Sequence, residues 1–148
     1  MAEARLGPDR LAGAYAWRAI KDAGAPLAFG SDAPVEAPDP FAGLAAAISR
    51  EDAERQPPGG WHPEETVSIE QALAAYTAGA AYAGFAEGQF GRLAVGEQAD
   101  FVVLDADPLE ADASELRGIR VLETWIGGRR VYGGSARSTD RPPDTPGR

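Results

Sequence analysis

An apolar run that stops at a carboxylate constrains this chain more than any other stretch. Pro26-Leu27-Ala28-Phe29 leads into Gly30-Ser31-Asp32-Ala33-Pro34-Val35, so a short buried strand over Leu27 to Phe29 would present Asp32 at its carboxyl end. The decapeptide alone admits two readings. Gly-Ser-Asp after a buried strand makes a good turn, with Ser31 or Asp32 capping the next segment. In the other reading, Asp32 carries chemistry.

The flanks suggest a parallel α/β unit, in which helix, tight turn, short strand and helix follow one another. Asp9 can cap a helix over Arg10 to Ala23, with Leu11, Tyr15 and Ile20 roughly on one face and Gly24 as its stop. The next helix starts at Asp39-Pro40, where aspartate caps and proline takes the first helical position, and ends near Arg50. Glu51 to Glu65, with three prolines and two glycines, is a long loop: a surface excursion or part of a site. Ser68 and Gln71 form a capping box, after which Ile69, Leu73, Tyr76 and Ala80 mark a helix packed on one face. Gly79 is expected to bend or divide it.

Beyond residue 88 the period changes from helix to strand. Phe101 to Leu104 is a strand ended by Asp105, and Val121 to Ile126 with Arg129 to Tyr132 flank Gly127-Gly128, a hairpin turn needing positive φ. This second region is expected to be small and all-β. The polar, proline-rich tail 135–148 is expected to be disordered.

Composition excludes more than it assigns. The net charge of -9 and the lack of a basic helical stripe argue against nucleic acid and anionic membranes as partners. With no cysteine, disulfides, thiolate metal sites and cysteine nucleophiles are excluded. No run is long enough to span a bilayer and no signal-peptide core opens the chain, which gives a soluble, cytoplasmic reading. Hydrophobic residues make up 44%, much of it alanine, so the core is expected to be thin. Neither Gly88-Gln89-Phe90-Gly91 nor Gly127-Gly128 is a phosphate loop, and Ser31 has no histidine at a nucleophile spacing.

Three blocks stand in order: Gly30-Ser31-Asp32-Ala33-Pro34-Val35; Tyr76-Thr77-Ala78-Gly79-Ala80-Ala81; and Gly91 to Asp105 followed by Val121, Thr124, Gly128, Val131 and Tyr132. Together they resemble the carboxy-terminal end of a metal-dependent hydrolase of the amidohydrolase superfamily, in the branch that includes N-substituted formamide deformylase. The resemblance implies an α/β fold: the last β/α unit of a TIM-type (β/α)8 barrel over 1–88, part of a small β-sandwich domain over 89–134, and the tail 135–148. It implies hydrolysis of a non-peptide carbon-nitrogen bond in an amide, formamide or cyclic ureide. Asp32 is then both metal ligand and proton shuttle, while Ser31 and the Ala33-Pro34 turn shape the mouth. Chemistry in such barrels sits at the carboxyl ends of strands.

The family's His-x-His pair is absent, and His62 is the chain's one histidine. It matches no family ligand position, and is read as a surface loop residue with substrate contact as the alternative. A hydrolytic zinc keeps three protein ligands, so a divalent metal, zinc by resemblance, belongs to the complete enzyme and the isolated chain is expected to bind none tightly. One strand cannot close a barrel. The chain therefore reads as incomplete, with a small-molecule substrate and the missing amino-terminal part of the barrel as partners. Met1 can be an internal start, so a missing signal says little about a parent enzyme. The alternative is a catalytically inactive fragment or a small structural or interaction module. Asp100 and Asp105 read as turn and edge residues; Trp17, Trp61 and Trp125 read as packing residues, with Trp61 a candidate pocket wall.

Overall fold

The computed structural model describes residues 2–133; the tail 135–148 lies outside them. Helix α1 (Ala2–Leu6) is followed by a 3-10 helix, Pro8–Gly13, and by α2 (Trp17–Asp22). The continuous helix expected over 10–23 is therefore broken. Tyr15 has φ 54 and is exposed, as is Ile20, while Ala16 is buried and Trp17 half-buried. The break turns Trp17 inward, 5.6 Å from the Phe29 ring, in place of the face that the Leu11, Tyr15, Ile20 spacing implied. Gly24 at φ 88 ends the segment as expected.

Leu27 to Phe29 is a second correction. The stretch is extended, with Leu27 and Phe29 half-buried and Ala28 and Gly30 exposed, but it is not a strand. A strand is defined by a ladder, and the Phe29 N–H donates instead to the Ala75 carbonyl at 3.0 Å. The helices beneath hold this segment down. Phe29 lies 5.6 Å from Trp17 and 5.7 Å from Tyr76, ring centre to ring centre.

The core lies under α3 (Pro40–Ser49). Asp39 accepts from Phe41 N at 2.9 Å and Pro40 opens the helix, as the sequence dictates. Phe41, Leu44, Ala45 and Ala47 are buried against Val67, Ala72, Leu116 and Ile119. Among the described residues, only Leu44 and Leu116 are large and fully enclosed, so the core is thin and alanine-rich. The loop after α3 contains a 3-10 turn, Pro63–Glu65, and is clipped at its neck: Trp61 N donates to Arg50 O at 2.9 Å and Arg50 Nε to Trp61 O at 2.8 Å.

The Ser68/Gln71 capping box opens α4 (Ile69–Ala74). The helix then widens into a π turn, Ala75–Gly79, before α5 (Ala80–Ala83), so Gly79 does mark a division. Its φ of −66 needs no glycine, but a Cβ there would lie 2.1 Å from the Leu27 carbonyl oxygen. Close approach, rather than a turn, is what requires glycine at this position.

Strands β1 (Phe101–Leu104), β2 (Val121–Ile126) and β3 (Arg129–Tyr132) form one antiparallel sheet in the order β1-β2-β3. Gly127 and Gly128, at φ 57 and 72, make the two-residue turn between β2 and β3. Phe101 stacks on its register partner Trp125, with centroids 5.5 Å apart. Asp100 accepts from Gly127 N at 2.6 Å and Asp105 binds Arg120 at 2.7 Å, so both serve the turns and edges of this sheet. The region is not all-β, however. Helix α6 (Ala113–Leu116) interrupts it, capped by Asp112 and Glu115, and Leu116 completes the core beneath α3. Asp112-Ala113-Ser114-Glu115 is itself a readable capping signature.

Candidate active site

Asp32 stands at the end of the anchored extended segment. Phe29, wedged between Trp17 and Tyr76, fixes the direction in which the chain leaves the helices. Asp32 then takes the left-handed region, φ 57, which a short polar side chain tolerates, and its carbonyl accepts from Val35 N at 2.8 Å. The carboxylate is exposed and makes no hydrogen bond among the described residues. A carboxylate that caps nothing and pairs with nothing is free to receive a ligand or a proton.

A cavity of about 440 Å³ borders the same segment at Gly30 and Ser31. Asp39, Tyr76 and Arg117 also line it. Asp39 is committed to the α3 cap, and Arg117 Nη2 donates to the carbonyls of Glu51 and Asp52 at 2.9 and 3.2 Å. Burial pushes the Tyr76 hydroxyl above its ordinary range, with a smaller push from the negative charge of Asp39. Gly43 makes room for that hydroxyl: a Cβ there would sit 1.9 Å from it.

His62 lies elsewhere, in the loop between Arg50 and Val67. Its Nδ1 is 2.9 Å from Glu64 Oε1, its ring meets Trp61 edge-on, and its side chain is 29% exposed. Among the described residues no three His, Asp or Glu side chains converge as metal ligands would. The donor set of the described residues, with Asp32 standing alone, therefore does not fit a hydrolytic metal ion by itself.

Sequence reasoning missed Arg50. It caps α3 in the left-handed conformation, is only 7% exposed, and lies 4.3 Å and 5.1 Å from the ring centres of Trp17 and Trp61. Burial lowers its pKa, opposed by the charges of Glu65 and Glu64. An arginine following an alanine-rich helix ordinarily reads as a solvated end. Nothing local announces two tryptophans from distant segments closing over it.

Residues 1–132 match the amidohydrolase family. The chain is 36% identical over 128 residues to the putative amidohydrolase YtcJ of Bacillus subtilis, covering 86% of this chain and 24% of that protein. It is 33% identical to the protein LONG AFTER FAR-RED 3 of Arabidopsis thaliana, over 86% of this chain and 22% of that one. With N-substituted formamide deformylase of Arthrobacter pascens it shares 32% identity, over 78% and 21%. An amidohydrolase from Thermotoga maritima has a similar fold, with TM-score 0.60 at 20% identity, covering 81% of this chain and 26% of that one. The chain thus spans about a quarter or less of the length of these relatives. Since the match runs through the Asp32 turn, the helices beneath it and the sheet beyond, the chain belongs to the amidohydrolase family.

Proposed function

We propose that this chain is the carboxy-terminal part of an amidohydrolase that cleaves a non-peptide carbon-nitrogen bond of a small-molecule substrate, with Asp32 as the proton-transferring residue. The observation that carries the proposal is the free, exposed carboxylate at the end of a segment pinned by aromatic packing and by a backbone hydrogen bond to Ala75. An ionised carboxylate in that position can take the proton of an attacking water and return it to the leaving nitrogen. One relative is named for formamide deformylation, which supports amides and formamides as the bond class, with cyclic ureides as a further candidate. In this reading, residues 1–88 belong to the last unit of a (β/α)8 barrel and 89–134 to a small β domain. The open sides of Leu27 to Gly30 take the neighbouring barrel strands of the amino-terminal part. Asp32 is one ligand of a divalent metal, zinc by family resemblance, whose other ligands come from outside these 148 residues.

The test is Asp32→Asn in the complete assembly. Turnover is expected to fall by about 10²- to 10⁴-fold, the usual worth of a positioned acid-base group. The thermal melt of the isolated chain should stay unchanged, because there the side chain is exposed and makes no hydrogen bond among the described residues. Near-wild-type rates would remove Asp32 from the mechanism. A second reading, an inactive fragment or a structural module, draws on the lack of converging ligands among the described residues. Turnover by the complete assembly separates the two; both readings expect the isolated 148-residue chain to bind zinc weakly, so tight, stoichiometric binding in a zinc titration would contradict the placing of the other ligands outside it.

A further inference from the structure

Tyr76 lies in the π turn Ala75–Gly79, and this turn seats the extended segment before Asp32. Three contacts hold the segment there. The Ala75 carbonyl accepts from Phe29 N at 3.0 Å, the Leu27 carbonyl oxygen occupies the space that a Cβ at Gly79 would need, and the Tyr76 ring meets Phe29 edge-on at 5.7 Å. π turns widen a helix locally and recur beside functional sites. Among the described residues no hydrogen bond holds Gly30 or Ser31, so Phe29 is the last fastened residue before Asp32. Three residues of chain reach about 10 Å at most, so a displacement of Phe29 is passed on to the turn that bears the carboxylate.

Gly43 sets where the Tyr76 ring stands. It lies within α3, where alanine would be the better helix former. A Cβ there would collide with the Tyr76 hydroxyl and lie 2.9 Å from Cζ. The absent side chain is thus a notch that admits the end of the ring. Helix α3 is itself fixed in the core through Phe41, Leu44, Ala45 and Ala47. The phenol therefore spans from a rigid helix at one end to Phe29 at the other. Its contact with Phe29 is made by the ring, so phenylalanine at residue 76 would preserve it.

We propose that Tyr76 is a positioning residue for Asp32, seated in the Gly43 notch so that its ring backs Phe29 and holds the turn that carries the carboxylate. The aim of the carboxylate is then set from α3 through two rings, without any bond to the carboxylate itself. The catalytic meaning of that position rests on the proton transfer proposed for Asp32. Asp32 at φ 57 closes its turn by accepting from Val35 N at 2.8 Å, so the order of these two residues reports the aim.

Backbone nitrogen relaxation of the 148-residue chain, measured by NMR at Asp32 and Val35 with Thr124 in β2 as the control, reads this order. Both wild-type order parameters should lie near the ~0.85 of a rigid backbone. Tyr76→Leu, which removes the ring, and Gly43→Ala, which displaces it, should each lower them to about 0.6 or below and leave Thr124 unchanged. Tyr76→Phe should keep the wild-type values. Added to Gly43→Ala, it removes the atom that the new methyl strikes and should recover part of the loss. In the complete assembly Tyr76→Leu should lower kcat about tenfold or more with KM held, as misplacement of a reacting group does, and Tyr76→Phe should match wild type. The proposal is overturned by low order at Asp32 already in the wild type, by wild-type order in Tyr76→Leu, by an equal loss at Thr124, or by a loss in Tyr76→Phe as large as in Tyr76→Leu. Lowered order with full turnover would uphold the positioning and remove Asp32 from the chemistry instead. Should Tyr76→Leu or Gly43→Ala fail to fold, the other decides, read against its Tyr76→Phe counterpart.

Discussion

Asp105 shows how single residues fasten the sheet. Its carboxylate accepts from the Arg120 backbone N–H at 2.8 Å and from Arg120 Nε at 2.7 Å, tying the end of β1 to the residue before β2. The backbone N–H, then the guanidinium, holds the Asp105 carboxyl below its ordinary value of 3.8. A depressed folded value means that the ionised form stabilises the fold. This contribution is complete above the unfolded value and is lost as pH falls through the lower folded one. Asp105→Asn should therefore melt below wild type near neutral pH, with the gap closing as the pH drops below about 4. Paired thermal melts from about pH 2.5 to about pH 7 read this, and a gap that stays constant would remove the carboxylate charge from the account. Asp105 was legible in the sequence as an edge residue. Its partner was not, because Arg120 is brought to it by strand pairing rather than by sequence proximity.

At the scale of elements, local chemistry and tertiary contact compete openly in the divided helix 69–83. The capping box at Ser68 and Gln71 is a local signal and forms as written, because both partners lie within one turn. Gly79 works differently. Helix propensity alone favours alanine over glycine by about 1 kcal/mol. The Leu27 carbonyl, 2.1 Å from where the new methyl would sit, opposes that gain. Gly79→Ala is expected to destabilise the chain, on the order of 1–3 kcal/mol as overpacking usually costs. Urea denaturation followed by circular dichroism measures the sign, and a stabilised variant would show that the Leu27 segment does not press on this helix. The same contact accounts for the missing strand at Leu27 to Phe29. Its apolar alternation was legible, but a ladder needs a second strand, and here the segment lies on a helix with Phe29 bonded to the π turn.

At the scale of the whole molecule, one core joins the two regions read from the sequence. Phe41, Leu44, Val67 and Ala72 come from the helical part, and Leu116 and Ile119 from the part that carries the sheet. Truncating a fully enclosed leucine costs about 2–5 kcal/mol. Leu116→Ala should thus lower the urea midpoint of the entire chain. Circular dichroism and tryptophan fluorescence should report a single coincident transition, whereas separate transitions for helix and sheet would mean that the core does not couple them. No helix among the described residues is long and apolar enough to cross a membrane.

The sequence by itself determined whatever depends on neighbours within a few residues. The Asp39-Pro40 helix start, the Ser68 capping box, the Gly127-Gly128 hairpin and the strand Phe101 to Leu104 are set by capping, turn and alternation chemistry that acts locally. It also carried the ordered blocks around Asp32 that mark the family. Only the tertiary structure decided the break that turns Trp17 inward, the burial of Arg50 between two indoles, the need for glycine at residue 79, and the placing of Leu116 beneath α3. Each joins segments far apart in the chain. Such contacts depend on which surfaces meet after the helices and strands have formed, and a local sequence pattern does not encode that.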